Sequence, residues 1–170
     1  SAVPVDLFSS EHPQRFELDC GTHQLLAVFN WGDSQAEVRA NLPQEPSHVF
    51  EAWGQRYLGV MSGMVSSEVP AHGCRLYAIR PATGRPQVIG STFHLLQGTM
   101  ELGSEEWDGE KLALSLQPVA KAEAEILIHV PSSYGGPEAT PGAISDRGNG
   151  VWAIALRLEE EMRLEVRFPG

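Results

Sequence analysis

Val69-Pro70-Ala71-His72-Gly73-Cys74-Arg75-Leu76-Tyr77-Ala78-Ile79-Arg80 is the stretch on which the rest of this 170-residue sequence turns. It opens with a turn signal, Pro70 to Gly73, and then alternates. Leu76 and Ala78 fall on one face, Arg75, Tyr77 and Ile79 on the other. Period two marks a β-strand set between a core and solvent. We expect Leu76 and Ala78 to point inward. Pro81 ends the strand, because proline has no N–H to give a ladder and restricts the residue before it. The strand closes a first β unit and leads into a second.

Composition agrees with an all-β reading. Hydrophobic residues make up 42% and charged residues 20%, the balance of a folded chain. The 17 glycines and 12 prolines are scattered between apolar runs, as many turns require. A net charge of -10 disfavours nucleic acid and anionic membranes as partners, since both need a basic patch. No apolar run approaches the roughly 20 residues of a spanning helix. The start at Ser1 reads as a piece of a longer protein.

Read in order, residues 1–14 are a lead-in with one apolar cluster, Pro4-Val5-Asp6-Leu7-Phe8. Strands follow at residues 15–19 and 25–30. Trp31-Gly32-Asp33-Ser34 is a turn cluster, and residues 36–42 alternate again, which predicts a hairpin with the strand before them. Residues 49–53 and 56–60 form a second hairpin around Gly54. Residues 81–86 have linker composition. In the second half, Asp108-Gly109 is a strong hairpin signal, followed by Leu112, Leu114 and Leu116 on one face of a strand. Ala124, Ile126, Ile128 and Val130 share a face of the next. Residues 132–149, rich in Gly, Pro and Ser, read as a loop. Residues 151–156 and 162–168 read as a closing hairpin around the acidic turn Glu159-Glu160-Glu161. A short helix over residues 156–163 is the competing reading.

Few residues suggest chemistry. Glycosidases use two carboxylates about 5–9.5 Å apart. Glu101, Glu105, Glu106 and Asp108 cluster at the hairpin, where a solvated turn explains them as well. The histidines (His12, His23, His48, His72, His94, His129) show no metal-ligand spacing, and the cysteines, Cys20 and Cys74, no CxxC. No metal or cofactor is expected, and no nucleophile motif occurs. The aromatics offer an alternative. Trp107, Trp152 and Tyr134, if exposed, would stack on the apolar faces of sugars, as in a carbohydrate-binding module. Filling a core is the plainer use of such rings.

Four motifs in series carry a family resemblance: Pro4-Val5-Asp6-Leu7-Phe8; Leu26-Ala27-Val28-Phe29-Asn30-Trp31; Val49-Phe50-Glu51-Ala52-Trp53 with Tyr57-Leu58-Gly59; and Val69-Pro70-Ala71-His72-Gly73-Cys74-Arg75-Leu76-Tyr77. Over residues 4–80 the chain resembles the C-terminal β domain of glycoside hydrolases related to the α-galactosidases (melibiases). Gly84 to His94 looks like the opening of a further β domain found in some larger members. The resemblance implies a small β-sandwich that follows a (β/α)8 catalytic barrel. The family's catalytic aspartates lie on that barrel, and nothing here matches their motifs, so no catalytic residue is carried over.

Together these readings give two small antiparallel Greek-key β-sandwich units in tandem: residues 1–80, a linker at 81–86, and residues 87–170. The expected role is a non-catalytic accessory region packed against the catalytic barrel of the same protein. The alternative is a glycan-binding module.

Overall fold

The computed structural model describes residues 1–6 and 12–169, and every described element is a β-strand or a connection between strands. The chain divides into two compact units, Ser1–Ala82 and Thr83–Gly170.

Unit 1 holds eight strands: β1 (Val3–Pro4), β2 (Arg15–Asp19), β3 (Gln24–Phe29), β4 (Ala36–Asn41), β5 (Ser47–Glu51), β6 (Arg56–Met61), β7 (Met64–Val69) and β8 (Cys74–Pro81). A six-stranded antiparallel sheet has the order β1-β2-β3-β8-β5-β6, and β4 pairs with β7 in a second sheet. Leu26, Val28, Val49, Tyr77 and Ile79 of the large sheet meet Val38, Ala40, Val65 and Val69 of the small one in a single apolar core. Fully burying a large apolar side chain contributes about 1.5–3 kcal/mol, so this layer holds the two sheets together.

Two sequence expectations for this unit need revision, the pairing of β4 and the face of β8. The lead-in contributes a short strand, in which Val3 and Pro4 pair with Glu17 and Phe16 at the sheet edge. The part of the apolar cluster at Leu7 and Phe8 lies outside the described residues. β4 does not form a hairpin with β3. The turn at residues 31–34 carries the chain across to the facing sheet, where β4 pairs with β7. The face of β8 is also inverted. Tyr77 and Ile79 point into the core, while Leu76 is half-buried on the opposite face. The reason is local. Ala78 lies between Leu25 and Phe50 in the cross-strand register, and all three are buried. The centre of the sheet is thus covered on both faces, and alternation no longer tells inside from outside. The β5–β6 hairpin around Gly54 forms as read.

Unit 2 also holds eight strands: β9 (Gln87–Ser91), β10 (Leu102–Trp107), β11 (Lys111–Leu116), β12 (Ala122–His129), β13 (Glu138–Thr140), β14 (Ala143–Gly148), β15 (Val151–Leu158) and β16 (Met162–Arg167). They form two four-stranded sheets, β10-β11-β16-β13 and β14-β15-β12-β9. Leu112, Leu114, Leu116, Leu164 and Val166 of the first pack on Ile126, Ile128, Ile154, Leu156 and Leu158 of the second. This is a sandwich whose chain crosses between sheets at most connections. The Asp108-Gly109 hairpin forms as read. Gly109 takes a φ of 106°, and the Asp108 carboxylate accepts the N–H groups of Glu110 and Lys111 at 3.0 and 2.9 Å.

Two readings fail here. Residues 132–149 are not one loop, because β13 and β14 lie within them. β14 is a mostly exposed edge strand, so it shows no apolar alternation. β15 and β16 are not a hairpin. The acidic turn joins different sheets, with β15 between β14 and β12 and β16 between β11 and β13.

The face assignment of β8 sets an ordering of stabilities. Ile79→Ala should destabilise the chain by about 2–5 kcal/mol, the usual cost of emptying a core position. Leu76→Ala should cost less. Urea melts of the two variants side by side check this order.

Candidate functional site

The motif residues converge in unit 1. β3, β8, β5 and β6, which carry three of the four motifs, are neighbours in that order. Asn30 joins two of them. It is buried, and its side-chain amide nitrogen donates to the carbonyls of Ser34 (2.8 Å), Val69 (3.0 Å) and Pro70 (3.0 Å). Its Oδ1 accepts the Gly32 N–H at 3.0 Å, and its own N–H donates to the Gly73 carbonyl. Exposed His72 reaches Asp33 at 3.0 Å between its Nε2 and Oδ1. The Asn30-Trp31 and Pro70-Ala71-His72-Gly73 motifs are therefore two halves of one clasp.

Glu51 plays a similar part at the β5–β6 turn. Its carboxylate, 1% exposed, accepts the N–H groups of Trp53 (3.2 Å) and Gly54 (2.8 Å). A Cβ on Gly54 would stand 2.6 Å from Oε2, so a side chain there would displace the carboxylate. On β6, the Tyr57 hydroxyl lies 2.7 Å from His48 Nδ1. Burial pushes that hydroxyl up to about 12.

The carboxylate cluster of unit 2 is dispersed. Asp108 caps its turn, and the Glu110 and Lys111 N–H groups hold it below the usual carboxylate range. Exposed Glu106 lies 3.6 Å from Arg163, and Glu105 accepts the Val88 N–H at 3.2 Å. Glu101 departs from the solvated-turn reading, because it is 5% exposed. Its Oε2 and the buried Ser91 hydroxyl both lack hydrogen-bond partners among the described residues, beside a void of about 10 Å³. Cys20 and Cys74 are both free thiols.

Of the aromatic candidates, Trp107 and Trp152 are half-buried and pack against the core of unit 2. Tyr134 meets Trp107 edge-on at 5.5 Å between ring centroids, and Phe168 closes the trio at 5.6 and 5.9 Å. The strongly exposed tryptophans are Trp31 and Trp53 of unit 1. Trp31 stacks on Phe29 at 5.2 Å, with the planes 4° apart.

Tyr134 and Phe168 also line an open cleft of about 770 Å³ at one end of unit 2. Glu138, Arg167 and Lys111 contribute its polar side. Sequence reasoning picked out Tyr134 and missed the others. They meet only through strand register, with Lys111 opposite Arg167 and Arg167 opposite Glu138.

No family model and no curated protein matches the sequence. Among solved structures it is similar to α-galactosidase I from Mortierella vinacea, at 26% identity and a TM-score of 0.38 over 40% of this chain and 20% of that one. It is also similar to Abp, a GH27 β-L-arabinopyranosidase from Geobacillus stearothermophilus, at 22% identity and a TM-score of 0.39 over 45% of this chain and 19% of that one. A third is the isomalto-dextranase of Arthrobacter globiformis T6, at 15% identity and a TM-score of 0.39 over 100% of this chain and 36% of that one. The chain thus spans about a fifth of the length of the first two enzymes and about a third of the last.

The clasp and the tyrosine each generate an expectation. Asn30→Ala removes the donor of the buried Val69 carbonyl together with those of Ser34 and Pro70, and should cost about 1–3 kcal/mol in a urea melt. For Tyr57 the folded value, about 12, lies above the ordinary 10. The folded chain therefore holds this proton more tightly than the unfolded one. The contribution is whole below about pH 10 and is lost as pH rises through about 12. The urea midpoint of the parent chain should fall over that window. Tyr57→Phe should flatten the fall.

Proposed function

We propose that the chain is a non-catalytic accessory β region of a multidomain glycoside hydrolase related to the α-galactosidases. Its two units, residues 1–80 and 87–170, are joined by a linker at residues 81–86. Its role is to pack against a (β/α)8 catalytic barrel of the same protein and stabilise it. The observation that carries this reading is the ordered motif series over residues 4–80. Support comes from what the motif residues do. Asn30 donates to and accepts from turn backbone, and the Glu51 carboxylate accepts from it, which supports a structural role for these positions. The activity belongs to the parent protein, on α-galactosidic or similar bonds.

The test has two arms. The isolated chain should show no turnover of nitrophenyl α-galactoside, β-L-arabinopyranoside or α-glucoside. The protein encoded by the complete reading frame should cleave at least one of them, and deleting this chain from it should lower its thermal midpoint. Turnover by the isolated chain, abolished in Glu101→Gln or Glu106→Gln, would overturn the reading.

A further inference from the structure

The open cleft of unit 2 combines shape, fixed aromatic walls and a balanced polar edge. Its volume of about 770 Å³ falls within the roughly 300–1,000 Å³ of small-molecule clefts. The rings of Tyr134 and Phe168 meet each other and Trp107 edge-to-face, so each is buttressed by two neighbours. Ring walls held before a ligand arrives lower the ordering cost of binding.

The polar edge sets the class of ligand. Lys111, Arg167 and Glu138 stand side by side in one cross-strand row. The two cations already share Glu165, whose carboxylate lies 3.0 Å from the Lys111 Nζ and 3.4 Å from the Arg167 guanidinium. Those contacts hold Glu165 below the usual carboxylate range. Asp108, at the rim, is held by its own turn. The cleft therefore offers no surplus of positive charge to an anion. It offers guanidinium and ammonium donors beside a carboxylate acceptor, next to ring surface. Adjacent sugar hydroxyls both donate and accept, and the C–H face of a pyranose is apolar. These needs match what the cleft supplies.

We propose that this cleft is a subsite for a neutral oligosaccharide, with a sugar face against Tyr134 and Phe168 and hydroxyls hydrogen-bonded to Glu138 and Arg167. The proposal deepens the reading of the chain as part of a glycoside hydrolase by giving it a substrate-holding surface. Catalysis by the parent is measured separately, so either idea can fail without the other.

The isolated chain, labelled with nitrogen-15, is titrated with raffinose, with maltotriose and with galacturonic acid. At least one neutral trisaccharide should shift the amide signals of Tyr134, Glu138, Arg167 and Phe168 in a saturable way, with an affinity on the order of millimolar. Galacturonic acid should bind more weakly. Glu138→Ala and Arg167→Ala alter exposed side chains, so the spectra of the variants should show an intact fold. Each should weaken binding by about tenfold. Absence of saturable shifts at these residues with both trisaccharides overturns the proposal. So does tighter binding of the uronate, or unchanged affinity in both variants.

Discussion

The last strand of unit 1 in sequence occupies the middle of its sheet. β8 lies between β3 and β5, so both its edges must find partners that the chain has already laid down. A backbone donor or acceptor left unpaired there would be buried, at a cost comparable to a lost hydrogen bond. The rest of the unit follows from this requirement. β3 and β5 must stand far enough apart to admit a strand, and the chain between them must leave the sheet and return. It leaves through the turn after Asn30, forms β4 on the facing layer and re-enters at β5; after β6, β7 pairs with β4 and passes through Pro70 to Gly73 into β8. Asn30 binds the exit from β3 to the entry into β8 by donating to the Val69 and Pro70 carbonyls. One side chain thus ties the end of β3 to the start of the strand that pairs with it.

This arrangement explains what the sequence made legible and what it hid. Strand positions were readable because period two and turn residues are local properties. Leu112, Leu114 and Leu116 alternate with smaller or polar neighbours, and they fill the core of unit 2. The inward face of β8 was not readable. Tyr77 and Ile79 serve one buried layer, and Ala78, between Leu25 and Phe50, serves another. When both faces are covered, either parity looks apolar enough. Pairing was harder still. Residues 31–34 and 108–109 use the same turn residue types. The first turn crosses between sheets, while the second closes a hairpin. The difference lies in distant partners such as Val69, which local composition does not encode.

The candidate site was legible in the same uneven way. Tyr134 stood out as an aromatic in a Gly-rich segment. Glu138 was masked, because β13 is three residues long and lies in a stretch with loop composition. Arg167 and Lys111 are separated by more than fifty residues and become neighbours only when β11 pairs with β16. Phe168 looked like the end of a strand, and its role as a wall depends on where Tyr134 and Trp107 stand. A constellation built across one row of a sheet leaves no spacing signature along the chain.

The buried acid Glu51 shows how the chemistry of a motif can be misjudged when it is read alone. A carboxylate beside Trp53 and near Tyr57 resembles a sugar-processing acid. Its oxygens instead accept two consecutive backbone N–H groups at a turn. Gly54 leaves that contact room, since a Cβ there would stand 2.6 Å from the carboxylate and displace it. Arg56 lies 3.7 Å away on the exposed side and supplies countercharge. The residues that define the motif therefore shape the β5–β6 turn, and through it the edge of the sheet.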